Sequence, residues 1–347
     1  MKMKPLGRTG LEVSQFCLGT MTWGTQNTVA DACDQIAMAE EAGLNFMDTA
    51  EMYPTTPISA ETQGDTERVI GEWIKQGGAR DKWIIATKVT GAGYRNVRDG
   101  APISKETMRA GLEASLKSMN LDYIDLYQLH WPNRGSYCFR QNWTYDPTHQ
   151  NSAEIADHMA EVLNCADAMI KAGKIRAIGL SNESAWGTAK WLRLSEEMGL
   201  PRMASIQNEY ALLYRLYDTD LAELSHHEDI GLMAYSPLAA GMLTGKYRNG
   251  AMPEGSRFFI QGKVAERNTP RAHEAVELYA AIAEKHGMSL TQMSMAFCLT
   301  RPFMMSAIFG ATTRAQLEEI LSAKDIVLSD DCIRDITKAH RTCPMPF

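Results

Sequence analysis

The sequence predicts an α/β fold, a (β/α)8 TIM barrel, and three observations carry that reading. Short apolar runs of strand character alternate with amphipathic stretches of helical period. There are eight such runs, and strands separated by helices pair in parallel. Eight parallel strands close into a barrel, and a chain of 347 residues suits one large barrel as well as two ordinary domains. No linker, low-complexity tract or solenoid repeat divides the chain, so a single domain over residues 1–347 is expected.

Met1–Val13 stands apart from the alternation. Its Leu6-Gly7-Arg8-Thr9-Gly10-Leu11 stretch reads as a tight hairpin turn, placed as a lid over the barrel's N-terminal end. The strand runs then follow at Gln15–Thr20, Leu44–Asp48, Trp83–Lys88, Tyr123–His130, Ile175–Ser181, Met203–Asn208, Gly231–Ser236 and Ser306–Gly310. Helical stretches lie between them at Asp31–Ala42, Thr66–Lys75, Lys105–Met119, Ile155–Ala172, Trp186–Met198, Thr219–His227, Arg271–His286 and Leu290–Thr300. Arg314 opens a last helical segment. Two connections are long, Pro132–Ser152 after the fourth run and Leu238–Pro270 after the seventh, and long loops in compact domains are usually functional or disordered. A doubly wound open sheet is the rival fold. It would want a glycine fingerprint after the first strand. Here Gly19-Thr20-Met21-Thr22-Trp23-Gly24 lacks GxGxxG, and Gly91-Ala92-Gly93 lacks the third glycine.

Composition excludes several classes. Hydrophobic residues make up 45% of the chain, enough for a sizeable core. With 35 basic and 42 acidic residues the net charge is −7, which gives no footprint for nucleic acid or anionic lipid. No apolar run reaches the roughly 18 residues of a membrane span, and no secretory signal follows Met1. Seven scattered cysteines without a CxxC fit a reducing, cytoplasmic setting rather than a disulfide framework or zinc site. The 21 methionines read as core filling.

The informative polar residues fall at strand ends. Asp48, Lys88 and His130 close the second, third and fourth runs; Ser181-Asn182, Gln207-Asn208, Tyr235-Ser236-Pro237 and Gly310 close the fifth to the eighth. In a barrel all these ends meet at the face where active sites form. Taken singly each has an ordinary reading: a solvated lysine, an aspartate that starts a turn, a satisfied core histidine. On adjacent strands they become neighbours. Tyr53, five residues past Asp48, is within reach of Lys88. A free phenol has a pKa of about 10, and a nearby ammonium lowers it while a carboxylate keeps the lysine charged. Tyr53, Lys88 and Asp48 would then form a general acid for a developing alkoxide, with His130 donating to the same oxygen. No GxSxG, HExxH or Walker motif is present, and no metal site is expected. His226-His227-Glu228-Asp229 reads as a solvated helix end rather than a ligand set.

A second signal lies in the loop after the seventh run. Lys246, Arg248, Arg257, Lys263, Arg267 and Arg271 face only Glu254 and Glu266. Such a loop is either simply solvated or the seat of an anionic ligand. Its glycines 241, 245, 250 and 255 permit close backbone approach, which favours a phosphate-bearing one.

In this order the motifs resemble the aldo-keto reductase superfamily. They are Leu6-Gly7-Arg8-Thr9-Gly10, Asp48-Thr49-Ala50-x-x-Tyr53, Thr87-Lys88, Leu126-Tyr127-Gln128-Leu129-His130-Trp131-Pro132, Gly173-Lys174-Ile175-Arg176-x-Ile178-Gly179-x-Ser181-Asn182, Tyr235-Ser236-Pro237-Leu238, Gly241-x-Leu243-Thr244-Gly245-Lys246-Tyr247 and Gly310-Ala311-Thr312-Thr313. Glu61-Thr62-Gln63-Gly64 and the last motif resemble the bacterial Tas-like branch.

The resemblance implies NADP(H)-dependent reduction of a small-molecule aldehyde or ketone, with Tyr53 as acid and Asp48, Lys88 and His130 completing its tetrad. It implies that Ser181, Asn182 and Gln207 hold the carboxamide and that Tyr235 stacks on nicotinamide. Gly19, Thr20, Met21 and Asp48 also fall on the cofactor. Ser236, Pro237, Leu238, Gly241, Leu243, Gly245 and Lys246 would wrap the pyrophosphate. Arg257, Gly310, Thr312, Arg314, Gln316 and Glu319 would hold the adenosine 2′-phosphate end. Trp23, Met52 and Trp131, with Tyr137, Phe139, Trp143 and Tyr145, suggest an apolar pocket, although loop aromatics equally pack a loop to its barrel. Two positions depart from the pattern: Pro54 follows the tyrosine, and Ile320 replaces an adenine-contacting asparagine. The alternative reading is an NADP(H)-binding regulatory subunit with slow turnover. A metal-dependent barrel hydrolase is a third, without a ligand set. Nothing marks an oligomer, nucleic-acid or membrane partner, which favours a monomer.

Overall fold

The computed structural model describes residues 1–262, 264 and 266–347. Its centre is a closed barrel of eight parallel strands: β3 (Phe16–Gly19), β4 (Phe46–Asp48), β5 (Ile84–Val89), β6 (Ile124–Leu129), β7 (Ile175–Ser181), β8 (Met203–Glu209), β9 (Gly231–Tyr235) and β10 (Met304–Phe309). They pair in chain order, and β10 returns to β3 to close the ring. The short pair β1 (Met3–Pro5) and β2 (Glu12–Ser14) forms an antiparallel hairpin. The sequence runs therefore fall on the strands, shifted by one or two residues at most ends. Ends are where propensity is weakest, because turn hydrogen bonds compete there.

The helices are α1 (Val29–Glu41), α2 (Asp65–Lys75), α3 (Lys105–Met119), α4 (Ser152–Lys171), α5 (Ala185–Met198), α6 (Asp220–Glu228), α7 (Arg257–Gln261), α8 (Pro270–Lys285), α9 (Leu290–Leu299), α10 (Arg314–Ser322) and α11 (Asp330–Thr342). Local chemistry sets their limits. Ser104 opens α3 in a reciprocal capping box with Thr107, and Asn120 ends it at φ 54°. The sequence reading missed α7 and α11. Ser329 caps α11, and Cys332, Ile336 and Ala339 bury one face of it, an i, i+4, i+7 stripe that carries the helical period.

Strand alternation divides the interior from the outer core. Ile85 and Val89 of β5 pack outward with helix residues, whereas Ala86 faces inward with Phe46, Leu126, Ala177, Ala204 and Met233. Leu6, fully buried, joins that inner cluster from the hairpin. Gly7 behind it has φ 52°, and a Cβ there would stand 2.5 Å from the Ala204 carbonyl oxygen. Only a glycine lets the turn seat so closely against the start of β8. The hairpin thus plugs the N-terminal end, as the sequence predicted. At the opposite end the same inward positions become polar.

Candidate active site

Two residues beyond the inward-facing Phe46, Ala86 and Leu126 come Asp48, Lys88 and Gln128, brought side by side by the parallel register. Lys88 is completely buried, and Asp48 is 3% exposed. Lys88 Nζ donates to Asp48 Oδ2 at 2.6 Å, to the Thr49 carbonyl at 2.7 Å and to Tyr53 Oη at 3.4 Å. Gln128 Nε2 and Gln207 Nε2 donate to Asp48 Oδ1 at 3.1 and 2.8 Å, and Gln207 also reaches Gln128 Oε1 at 3.1 Å. A buried carboxylate and ammonium persist only when paired and hydrogen-bonded in this way.

These contacts set the protonation states. Burial alone lowers the Lys88 pKa, but Asp48 and then Tyr53 overcome it and leave the ammonium above its usual range. Burial raises the Tyr53 phenol, and Lys88 pulls it back only in part, so it stays above 10. The sequence reading expected the ammonium to win. Desolvation outweighs it because the phenol loses water that the single 3.4 Å contact does not replace. His130 stands edge-on to Tyr53 with ring centroids 5.9 Å apart. Burial, then Lys88, holds it well below the ordinary imidazole range, so it is neutral near pH 7.

This group floors a cavity of about 1040 Å³ at the C-terminal face. Of the site residues predicted, the cavity is lined by Gly19, Thr20, Met21, Asp48, Met52, Tyr53, His130, Trp131, Ser181, Asn182, Gln207, Tyr235, Ser236, Pro237, Leu238, Gly241, Lys246, Arg257, Gly310, Thr312, Gln316 and Glu319. Ile320 lines it too. Asn182 Oδ1 accepts from the Tyr235 hydroxyl at 2.7 Å, and Asn182 Nδ2 donates to the His130 carbonyl at 2.9 Å.

Some expectations need correction. Trp23 is fully buried in the outer core, where its indole N–H donates to Gln35 at 2.8 Å; it does not line the cavity. Leu243 is also core, and Gly245 lies outside the lining. Arg314 is exposed and held by Asp34 and Glu318, away from the cavity. Among the loop aromatics Phe139 lines the cavity edge-on to Trp131 at 5.9 Å, whereas Trp143 is 78% exposed. Lys263 lies outside the described residues.

Other residues at the site went unread in the sequence. Glu209, at the end of β8, accepts Arg140 through both oxygens at 2.5 and 2.7 Å and Arg267 through Oε1 at 3.0 Å. Burial would raise this carboxylate, but Arg267 and Arg140 hold it below its usual range. The two arginines come from the two long loops, so Glu209 ties those loops together over the cavity. Gln261 of α7 donates to Thr56 Oγ1 at 3.2 Å, and Gln26 to the Gly255 carbonyl at 2.9 Å. Residues 255–261 thereby form a strap. Burial, then Arg267, lowers the Arg257 pKa to about 10, and burial, then Arg257, lowers that of Lys246. Among the described residues neither cation has a carboxylate salt-bridge partner. They place two positive charges on the cavity wall. Gly241 leaves room for that lysine: with φ 95°, a Cβ would meet Lys246 Cε at 2.7 Å.

The aldo/keto reductase family model matches residues 15–341. Protein tas of Escherichia coli strain K12 is 40% identical over 352 aligned positions, covering 100% of this chain and 99% of that protein. An uncharacterized oxidoreductase of Bacillus subtilis, YrpG, is 29% identical over 96% and 94% of the two chains. A probable voltage-gated potassium channel subunit beta of Arabidopsis thaliana is 28% identical over 94% and 92%.

Proposed function

This chain belongs to the aldo/keto reductase family, and from that premise we propose that it is an NADPH-dependent reductase of aldehyde or ketone carbonyls with Tyr53 as the general acid. Family membership carries the coarser statement, an oxidoreductase acting on carbonyl groups. The observation that carries the finer one is Lys88 Nζ, set between Asp48 Oδ2 at 2.6 Å and Tyr53 Oη at 3.4 Å beneath the open cavity.

The cavity residues fit a dinucleotide phosphate. At about 1040 Å³ the space sits at the top of the range for ligand pockets, roughly 300–1,000 Å³. Lys246 and Arg257 would hold phosphate charge, with Thr312, Gln316 and Glu319 toward the adenosine end. Arg257 is the stronger candidate for the 2′-phosphate, since Arg314 already meets two carboxylates outside the cavity. Ser181, Asn182 and Gln207 would hold the carboxamide, and Gln207 has Oε1 to offer because its amide protons are directed at Asp48 and Gln128. Tyr235 would support the ring. NADPH, when bound, supplies the hydride.

The protein's own part is the proton. Lys88 donates to the phenol oxygen, which leaves the Tyr53 O–H proton free for a carbonyl oxygen above it. A phenol kept above pKa 10 stays protonated near neutrality until that oxygen gains charge. As the proton leaves, the ammonium steadies the phenolate, and Asp48 with its two glutamine donors keeps the ammonium charged. Neutral His130 can donate a hydrogen bond to the same oxygen without competing for the proton. Met52, Trp131 and Phe139 would shape the substrate side. The regulatory-subunit alternative has a relative's name behind it, but the assembled proton-donor group favours turnover.

The test is NADPH oxidation on a panel of aldehydes, ketones and quinones with wild type and Tyr53→Phe. The variant should lose at least about 100-fold in kcat, the usual scale of general acid catalysis, with NADPH affinity nearly unchanged. A fully active Tyr53→Phe enzyme overturns the assignment.

A further inference from the structure

Two residues before Tyr53 in the chain, a buried carboxylate takes no part in the reaction described above. Glu51 is 9% exposed. Its Oε1 accepts the Thr90 amide at 2.5 Å and Arg98 Nη2 at 2.6 Å, and its Oε2 accepts Arg98 Nη1 at 2.6 Å. Thr90 is the second residue past Lys88, and the Glu51 amide donates to the Lys88 carbonyl at 3.4 Å. One side chain therefore joins the segment that carries the phenol to the strand end that carries the ammonium.

The surroundings are fitted to that junction. Helix α3 presents Gly111 to it, where a Cβ would stand 2.9 Å from Glu51 Oε2 and 3.0 Å from Tyr127 Oη. Any larger residue would push against the carboxylate. On the other side Arg98, Asp99 and Gly100 have φ values of 47°, 54° and 80°. The first two are left-handed without being glycine, a conformation that persists where the surroundings impose it and that clusters at functional sites. That turn brings the guanidinium fork to Glu51 in a bidentate pair, the geometry that fixes orientation as well as charge.

We propose that Glu51, clamped by Arg98, is a positioning residue that sets the separation between Tyr53 Oη and Lys88 Nζ. At 3.4 Å that contact is near the outer limit of a hydrogen bond. A few tenths of an ångström decide whether the ammonium assists the departing proton. This inference rests on Tyr53 being the acid. Loosening the clamp moves the phenol away from Lys88, and the sign of the result follows. With the ammonium more distant, the phenol's pKa rises and proton donation slows, while the cavity walls that bind carbonyl and cofactor keep their places.

The experiment compares wild type, Glu51→Gln, Arg98→Gln, the double variant and Tyr53→Phe for kcat, KM and the pH profile of kcat with NADPH and one good carbonyl substrate. A misplacement of about 1 Å costs on the order of 100-fold, and a slackened loop should cost roughly 10-fold in kcat. KM and NADPH affinity should stay within about twofold. The alkaline limb should move to higher pH, a displacement that mere loss of stability does not produce. The double variant should lose no more than the worse single one, because the two residues act as a unit. Arg98 is partly exposed, so Arg98→Gln opens onto solvent and decides the matter should Glu51→Gln fail to fold. Folded variants with wild-type kcat, or with reduced kcat and an unmoved limb, overturn the proposal while an inactive Tyr53→Phe leaves the acid assignment standing. A fully active Tyr53→Phe overturns both.

Discussion

At one end of the barrel the inward positions hold Cys17, Phe46, Ala86, Leu126, Ala204 and Met233, closed by Leu6 of the hairpin. At the other end, one inward step along β4, β5 and β6, they hold Asp48, Lys88 and Gln128. Both layers are buried. The first needs no partners, since apolar surface gains roughly 25 cal/mol per Å² simply by leaving water. The second is tolerable only because each charge is matched and hydrogen-bonded. The two-residue period of a strand thus places a layer that stabilises directly beneath the layer we propose to react. The apolar floor also denies solvent to the ion pair above it, which is why a 3.4 Å contact there has consequences that it would lack in water.

This contrast is broken most severely at the reactive end. Lys88→Met should lower turnover by at least about 100-fold, because the phenolate loses its counter-charge. Circular dichroism should report a barrel that is still folded but less stable, because Asp48 keeps both glutamine donors but loses its counter-charge, a loss of about 3–5 kcal/mol. An enzyme that kept its activity and pH profile would dissolve the proposed proton-donor group. Next in size, Arg257→Ala should weaken NADPH binding by about 10- to 100-fold, the cost of roughly 1.5–3 kcal/mol for one charge-assisted bond. NADH should be little affected, and Arg314→Ala should leave both cofactors within about twofold. Equal losses for NADH and NADPH would remove Arg257 from the 2′-phosphate. At the plugged end the currency changes. Leu6→Ala should cost about 2–5 kcal/mol of unfolding free energy with kcat/KM unaltered, measured by urea denaturation and steady-state kinetics. A drop in kcat/KM without a drop in stability would mean that the two ends are coupled.

The smallest effect lies outside the barrel wall. Glu67 of α2 is buried against β5, where Thr87 Oγ1 donates to its Oε1 at 2.7 Å. Burial raises its pKa from 4.5 to about 7. At this group the folded state therefore binds more protons than the unfolded state between about pH 4.5 and 7, and its contribution to stability falls as pH rises through that window. Glu67→Gln should match wild type in Tm near pH 5 and exceed it by a few degrees at pH 8. A Tm difference that does not vary with pH would refute this.

Strand ends made Asp48, Lys88 and His130 legible from the residues alone, because one topological fact, a closed parallel barrel, collects those ends. Gln128 was legible in principle. It stands two positions before His130 in the same strand run, and alternation puts both on the inner side. Trp23 misled because an aromatic residue just past a strand end is equally suited to a pocket and to the core; its indole partner, Gln35, lies on a helix that periodicity places but does not orient. Arg98 and Arg140 sit in loops without period, far in sequence from Glu51 and Glu209, so only folding pairs them. Of the strap at 255–261 only Arg257 was visible, as part of a basic loop, and its shape was not.

The pairing of both long loops on Glu209 has a consequence for anyone who would re-engineer this barrel. Loops over a rigid scaffold are commonly treated as exchangeable cassettes. Here neither is. Exchanging the segment that holds Arg140 leaves Arg267 as the one remaining partner, among the described residues, of a carboxylate 5% exposed, and exchanging both loops removes both arginines from it. Uncompensated buried charge typically costs about 3–5 kcal/mol, a large fraction of what holds a domain folded. Specificity at this mouth is therefore inherited in blocks: a successful graft carries both loops and the strand-end glutamate together, or replaces all three by a neutral set.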